Sequence, residues 1–365
     1  MNKDRLTVIL FALLLLLPFP SYLLLKGALD GENHENRTLA QFPKVSFDTV
    51  TEFPEGFDNW LDDRLPFKNQ MVYANSLLDV NIFGRSSSGR VVFGSQGWLF
   101  YSDIIDGNCV ATYKGIDLYS DSELELLASR LVDAKNQLAG IGCDFYLFIA
   151  PDKQQLYPEF MPAYITRVSE ITRTRQLVDY LRQNTDIKVI YALDALTEGK
   201  STYPVFYQLD THWNDFGTYI GAKLLLENMG YDLCDYSEIV PQTPTNCGDL
   251  ASVAMTGNMF LEHNNVIIKG DFGEYSTDLL DYLHLSRYCS TEPDCIDKKL
   301  MIERDSFTDS MIQFICPRFR QTVLFHRNNF DGASPFAEQP DIFVYETVER
   351  YLDQIEKFVL TPQED

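Results

Sequence analysis

Between residues 122 and 345 amphipathic helical segments alternate with short apolar strands, and this alternation leaves few folds open to the chain. Residues 122–138 repeat Leu124, Leu127, Leu131, Ala134 and Leu138 at helical spacing, with Ser120 or Asp121 placed to cap them. Residues 144–150 form a short apolar run that stops at Pro151. Helices are expected over 171–183, 214–229 (closed by Gly230) and 307–316. Strands are expected over 187–192, 300–304, 322–326 and 342–345, with a further helix after the last. Residues 97–101 read as an edge strand leading into the core, and 231–297 as a loop-rich stretch. Strands and helices of these lengths in alternation predict an α/β sandwich with a mainly parallel sheet. Trp60 and Trp98 are expected to pack rather than bind.

The first 26 residues are of another kind. Lys3 and Arg5 precede an apolar run, residues 6–25, with no charged side chain. Twenty residues at ~1.5 Å each can cross a hydrocarbon core of ~30 Å. Pro18 and Pro20 would kink it, and no small-x-small cleavage site follows. An uncleaved signal anchor is therefore favoured over a cleaved signal peptide, with Lys3 and Arg5 cytoplasmic and the bulk of the chain outside. The expected organisation is an anchor over 1–26, an extension over 27–96 and a catalytic domain over 97–360, at the periplasmic or extracytoplasmic face of the membrane.

Charge narrows the partners. The chain carries a formal −23, of which residues 1–26 contribute +2, leaving −25 on the remainder. Such a field repels phosphates and argues against nucleic acid. It also disfavours a strongly polyanionic substrate. The seven cysteines contain no C-x-x-C pair, so neither zinc nor a redox site is expected, and no cofactor is called for. Cys289 with Cys295, and Cys234 with Cys247, bracket loops that a disulfide could close in an exported protein, whereas Cys143 and Cys316 sit in apolar stretches as buried thiols.

In parallel sheets ligands bind beyond the carboxyl ends of the strands, and two polar motifs are expected there. Asp210-Thr211-His212 precedes a helix, and Arg304-Asp305-Ser306 joins a strand to one. Alone, the first is most simply a turn and the second a capping pair. Together they supply an imidazole oriented by a carboxylate and a hydroxyl at a helix N-terminus, where the dipole favours an oxyanion.

On these motifs the chain resembles the SGNH-hydrolase-like proteins that assist O-acetylation of bacterial exopolysaccharides, the group containing the alginate O-acetyltransferase periplasmic components. The likeness spans roughly residues 35–355. It is carried by Glu35-Asn36-Arg37, residues 57–66, Gly97-Trp98-Leu99-Phe100, Pro151-Asp152-Lys153, Tyr157-Pro158, residues 209–213, Gly248-Asp249-Leu250, Arg304-Asp305-Ser306-Phe307, Pro340-Asp341 and Glu349-Arg350-Tyr351. It implies an SGNH-like three-layer sandwich and a Ser306–His212–Asp210 triad, in a motif order circularly permuted relative to ordinary SGNH esterases. Arg304 stands where those esterases have Gly. Gly248 and the Ser306 N–H are candidate oxyanion donors, and Arg304, Trp213 and Lys153 candidate substrate contacts. The implied reaction passes acetyl, supplied by a membrane-bound O-acyltransferase, to a polysaccharide acceptor. A polysaccharide acetyl esterase and a non-catalytic membrane-tethered assembly subunit are the alternatives. The acidity outside residues 1–26 points away from alginate, toward a neutral or weakly charged polymer.

Overall fold

The structure, a computed structural model, describes residues 40–43, 53–62, 89–246, 248–254, 260–281 and 284–362, with isolated positions among the first 11. The apolar N-terminal run therefore lies outside the described residues. Among those described, no helix is long and apolar enough to cross a membrane.

The chain divides into two compact units, Met1–Ser87 and Ser88–Asp365. In the first, the helix Phe53–Asp62 brings Phe57 and Trp60 against Phe42, at centroid distances of 6.2 and 5.0 Å. Trp60 packs, as expected. The boundary falls at Ser88 rather than at 97 because β1 (Val91–Phe93) pairs antiparallel with β2 (Leu99–Tyr101) inside the second unit. This ribbon is a sheet of its own, which corrects the expectation that residues 97–101 edge the main sheet. Trp98 stacks beside Tyr157 and Phe160, with centroids 4.2 and 4.7 Å away.

The second unit continues with α1 (Cys109–Lys114), α2 (Asp121–Ala139), β3 (Asp144–Ala150), α3 (Lys153–Leu156), α4 (Arg173–Asn184), β4 (Lys188–Tyr191) and α5 (Leu193–Gly199). Next come α6 (Asp215–Asn228), β5 (Glu238–Pro241), α7 (Asp249–Val253), β6 (Val266–Lys269), β7 (Tyr275–Leu279) and β8 (Leu285–Ser290). The chain then forms β9 (Ile296–Arg304), α8 (Phe307–Ile315), β10 (Phe319–His326), α9 (Ser334–Glu338), β11 (Ile342–Val348) and a 3₁₀ segment, Glu349–Lys357. Local chemistry fixes the helix ends. Ser120 and Glu123 form a reciprocal capping box on α2, and the Asn214 side chain accepts from Gly217 N–H to start α6.

Seven strands make the main sheet in the order β4-β3-β11-β9-β10-β8-β7. β4, β3, β11, β9 and β10 run parallel, while β8 and β7 extend the sheet antiparallel. Residues 231–297 are thus not simply loop: their described part holds four whole strands, two of them in this sheet. Alternation along β3 builds both cores. Tyr146, Phe148 and Ala150 face the cluster that includes Phe216 of α6 and Phe314 of α8, whereas Phe145, Leu147 and Ile149 face Leu131 of α2 and Leu177 of α4. The result is a three-layer α/β sandwich.

Cys289 and Cys295, one of the two proposed pairs, are both free thiols. Cys289 lies on β8 and Cys295 just before β9, with β10 between the two strands. Strands two positions apart are separated by ~9.5 Å, beyond the ~7 Å Cα limit for a disulfide. Cys234 is an exposed free thiol, and its suggested partner Cys247 lies outside the described residues. Cys143 and Cys316 are buried thiols.

Candidate active site

β9 ends at Arg304, and the next two residues turn the chain into α8. Asp305, not Ser306, caps that helix: its Oδ1 accepts from Phe307 N–H at 2.8 Å, and its Oδ2 accepts from Val348 N–H at 2.7 Å, stitching the turn to the end of β11. Ser306 has helical backbone (φ −69°, ψ −14°) and makes no side-chain cap. Its exposed hydroxyl is left for another partner. That partner is His212, whose Nε2 lies 2.7 Å from Ser306 Oγ.

The two-residue spacing of Asp210 and His212 has a local cause. A short aspartate side chain can reach the backbone N–H two residues on, and Asp210 Oδ1 does so at 3.0 Å while also meeting His212 Nδ1 at 2.7 Å. A carboxylate only accepts, so Nδ1 carries the proton and Nε2 presents a lone pair to Ser306 O–H. The three side chains form one directed chain: serine donates to histidine, and histidine donates to aspartate. The ring rests 5.0 Å from the Phe307 ring, which is fully buried.

A second layer holds the acid. Asp210 Oδ2 accepts from Asp249 N–H at 2.9 Å, and Asp249 in turn accepts from Thr211 N–H at 2.8 Å and from the Thr211 hydroxyl at 2.5 Å. Leu209 N–H donates to buried Glu262 at 2.7 Å. Lys153, 2% exposed, donates from Nζ to the carbonyls of Tyr207, Gln208 and Asp210 at 3.1, 3.1 and 2.7 Å. Burial pulls its ammonium down to about 8, against the attraction of Asp249 and Asp210.

Several candidates therefore change place. Lys153 is a clamp beneath the Asp210 loop rather than a substrate contact, because all three of its protons are taken by carbonyls. Trp213 is 1% exposed and sends its indole N–H to Phe307 O (3.1 Å) and Ser310 Oγ (2.9 Å), so it supports the Ser306 turn from inside rather than facing a ligand. Gly248 packs closely on Leu209: a Cβ there would lie 2.2 Å from Leu209 O. Arg304 keeps its place as a candidate contact: although largely buried and ion-paired to Asp309 at 2.8 Å, it lines a cavity beside α8. Asp249, Glu262 and Asp305 were not singled out for roles in the site. Asp249 had a signal in the Gly248-Asp249-Leu250 motif; Glu262 had none.

Burial disfavours a charged His212 ring, but the Asp210 hydrogen bond and charge outweigh it, and the pKa lies above its usual 6.5. Burial likewise opposes ionisation of Asp210, yet contact with His212 brings it down to about 2. The raised His212 value means that the Asp210–His212 ion pair stabilises the fold at low pH, and that this contribution is lost as pH rises through the folded pKa. A base must be neutral, so turnover should run the other way, rising with an acid limb above pH 6.5. Asp210→Asn removes the charge that raises that pKa. Its kcat/KM profile should show a lower maximum and an acid limb moved to lower pH; an unmoved limb would detach Asp210 from the base.

Asp210, His212 and Asp249 offer donor atoms within 4.8 Å of one another, a spacing a metal ion could use. Each is already committed, Nδ1 to Asp210, Asp210 Oδ2 to Asp249 N–H and Asp249 Oδ2 to the Thr211 hydroxyl. Gly248→Ala would push residues 248–249 off Leu209 and release the Asp249 N–H that anchors Asp210. It should cost about 1–3 kcal/mol of stability by overpacking and lower turnover more than tenfold, read by urea unfolding and ester hydrolysis on the same preparation.

An aspartate–histidine–serine chain at the carboxyl edge of a parallel sheet that is sandwiched between two helical layers has the geometry of acyl transfer. Comparison with known proteins agrees. Residues 91–258 match the family described as SGNH hydrolase-like domain, acetyltransferase AlgX; the match takes in Asp210 and His212 and stops short of Ser306. A probable alginate O-acetylase AlgJ from Azotobacter vinelandii is 26% identical over 173 residues, 46% of this chain and 41% of that protein. The chain thus matches about two fifths of that relative's length. Among solved structures, a DHHW family protein from Eubacterium siraeum superposes with a TM-score of 0.53 at 14% identity, over 75% of this chain and 99% of that one. Bacillus cereus PatB1, solved with a sulfonyl adduct, gives 0.51 at 12% identity, over 74% and 99%.

Proposed function

We propose that this protein is an extracytoplasmic O-acetyltransferase that acetylates hydroxyls of an exported or cell-surface polysaccharide. The observation that carries the reading is the hydrogen-bonded chain Asp210–His212–Ser306, with Ser306 exposed at the start of α8. Ser306 Oγ attacks the carbonyl of an acetyl donor as His212 Nε2 takes its proton. The tetrahedral oxyanion forms beside the N-terminus of α8. It collapses as the imidazolium returns the proton to the leaving group, leaving an acetyl-serine. An acceptor hydroxyl then attacks that ester, gives its proton to His212 and departs acetylated, and His212 reprotonates Ser306. The family match and the O-acetylase relative support acetyl as the group transferred.

In this reading a membrane-bound O-acyltransferase supplies the acetyl group, and residues 1–26 tether the chain beside it. Retention of Met1 in the membrane fraction, with the remainder open to external protease in spheroplasts, is expected. A soluble mature protein starting near Ala28 would overturn the tether. Transfer itself is tested by supplying the full chain with a chromogenic acetyl ester and oligosaccharide acceptors. Acetylated oligosaccharide is the expected product, whereas turnover to acetate alone in the presence of every acceptor would identify an esterase.

A further inference from the structure

On α8, Ser306, Asp309, Ser310 and Gln313 fall at helical spacing and share one face. From Asp309 onward that face lines a cavity of about 650 Å³, within the ~300–1,000 Å³ usual for small-ligand sites. Asp309 and Ser310 stand one helical turn, ~5.4 Å, beyond Ser306. Tyr275 of β7 and Tyr288 of β8 form another wall, their rings 5.7 Å apart and nearly perpendicular at 82°. Arg304 and Asp215 complete it, at the end of β9 and the start of α6.

The lining has a sign. Two carboxylates, Asp215 and Asp309, face the cavity against one guanidinium, Arg304, already paired with Asp309 at 2.8 Å. His326, also in the lining, is held below its usual pKa by burial and by Arg304, so it adds no charge at neutral pH. A sugar ring offers hydroxyl donors to carboxylates, acceptors to the Gln313 amide and an apolar face to tyrosine. A uronate would bring its own carboxylate into a lining whose two carboxylates outnumber its one guanidinium, a like-charge penalty that discriminates between acceptors.

We infer that this cavity is the acceptor subsite, and that it takes a neutral, hydroxyl-rich sugar of the polysaccharide in preference to a uronate. The inference rests on the acyl-transfer reading of Ser306, since a sugar seated one turn along α8 brings the neighbouring sugar of the same polymer to the serine.

Binding can be measured without turnover. The full chain in detergent, with no acetyl donor, is titrated calorimetrically with neutral tetrasaccharides of glucan, mannan and galactan type and with a tetrasaccharide of mannuronate. At least one neutral member should bind ten times more tightly than the uronate, and Tyr275→Ala should weaken it at least tenfold. Gln313→Ala, at an exposed helix position, provides a second variant should the tyrosine change disturb β7. Equal or tighter uronate binding, no binding by any neutral member, or neutral binding that survives both substitutions would each overturn the assignment. Ester hydrolysis by the unsubstituted chain, assayed in parallel, reports on Ser306 alone, so failure of the acyl-transfer reading and failure of the subsite show separately.

Discussion

Ser306→Ala is expected to lower acyl turnover by about 10³-fold or more while changing stability by less than about 0.5 kcal/mol. The structure gives a reason for the second half. Asp305 caps α8 and Ser306 does not, so the hydroxyl contributes no bond that holds the helix in place. His212→Ala should match the serine variant, and the double variant should match either one, because residues acting as a unit lose their effect once. Ester hydrolysis and thermal melts on the three proteins suffice. Rate losses that multiply in the double variant would show that the pair does not act as one device.

Asp305→Ala should produce the largest stability loss. It strips acceptors from Phe307 N–H and Val348 N–H, both in buried residues. Orphaned buried donors cost ~1–3 kcal/mol each, so a loss of roughly 2–6 kcal/mol is expected by urea unfolding, with turnover falling as the serine loses its seat. Asp305→Asn keeps one acceptor and should recover part of both. The neighbouring Glu346 carboxyl is held well above its usual range by burial and then by the Asp305 charge; it accepts from Asp305 N–H and the Thr308 hydroxyl. Removing that charge should bring the Glu346 pKa back down. Asp305→Ala that unfolds at the parent's urea midpoint would mean the turn is held by something else.

The sheet was legible where strands are buried on both faces. β3 was placed at Asp144–Ala150 from its apolar run, because a central parallel strand leaves no room for polar residues. β7, Tyr-Ser-Thr-Asp-Leu, is exposed throughout and carries no alternation, so nothing in those five residues marks a strand; its pairing with β8 decides it. Asp210 and His212 could be read because their contact is local. Lys153 and Trp213 sit beside legible motifs, yet what they touch is set by distant chain. A lysine buried under three carbonyls and one reaching a ligand look alike in sequence. Glu262 shows the same limit: its bond to Leu209 spans 53 positions.

β11 comes last among the described strands and yet lies inside the sheet, between β3 and β9. Its end supplies Val348 N–H and Glu346, two of the contacts that set the serine turn. A polypeptide emerging N-terminus first would carry Asp210, His212 and Ser306 for some time with a gap where β11 belongs. The Ser306 turn is then completed only once Val348 has emerged, and a chain truncated before residue 342 should be chemically silent although Asp210, His212 and Ser306 are all present.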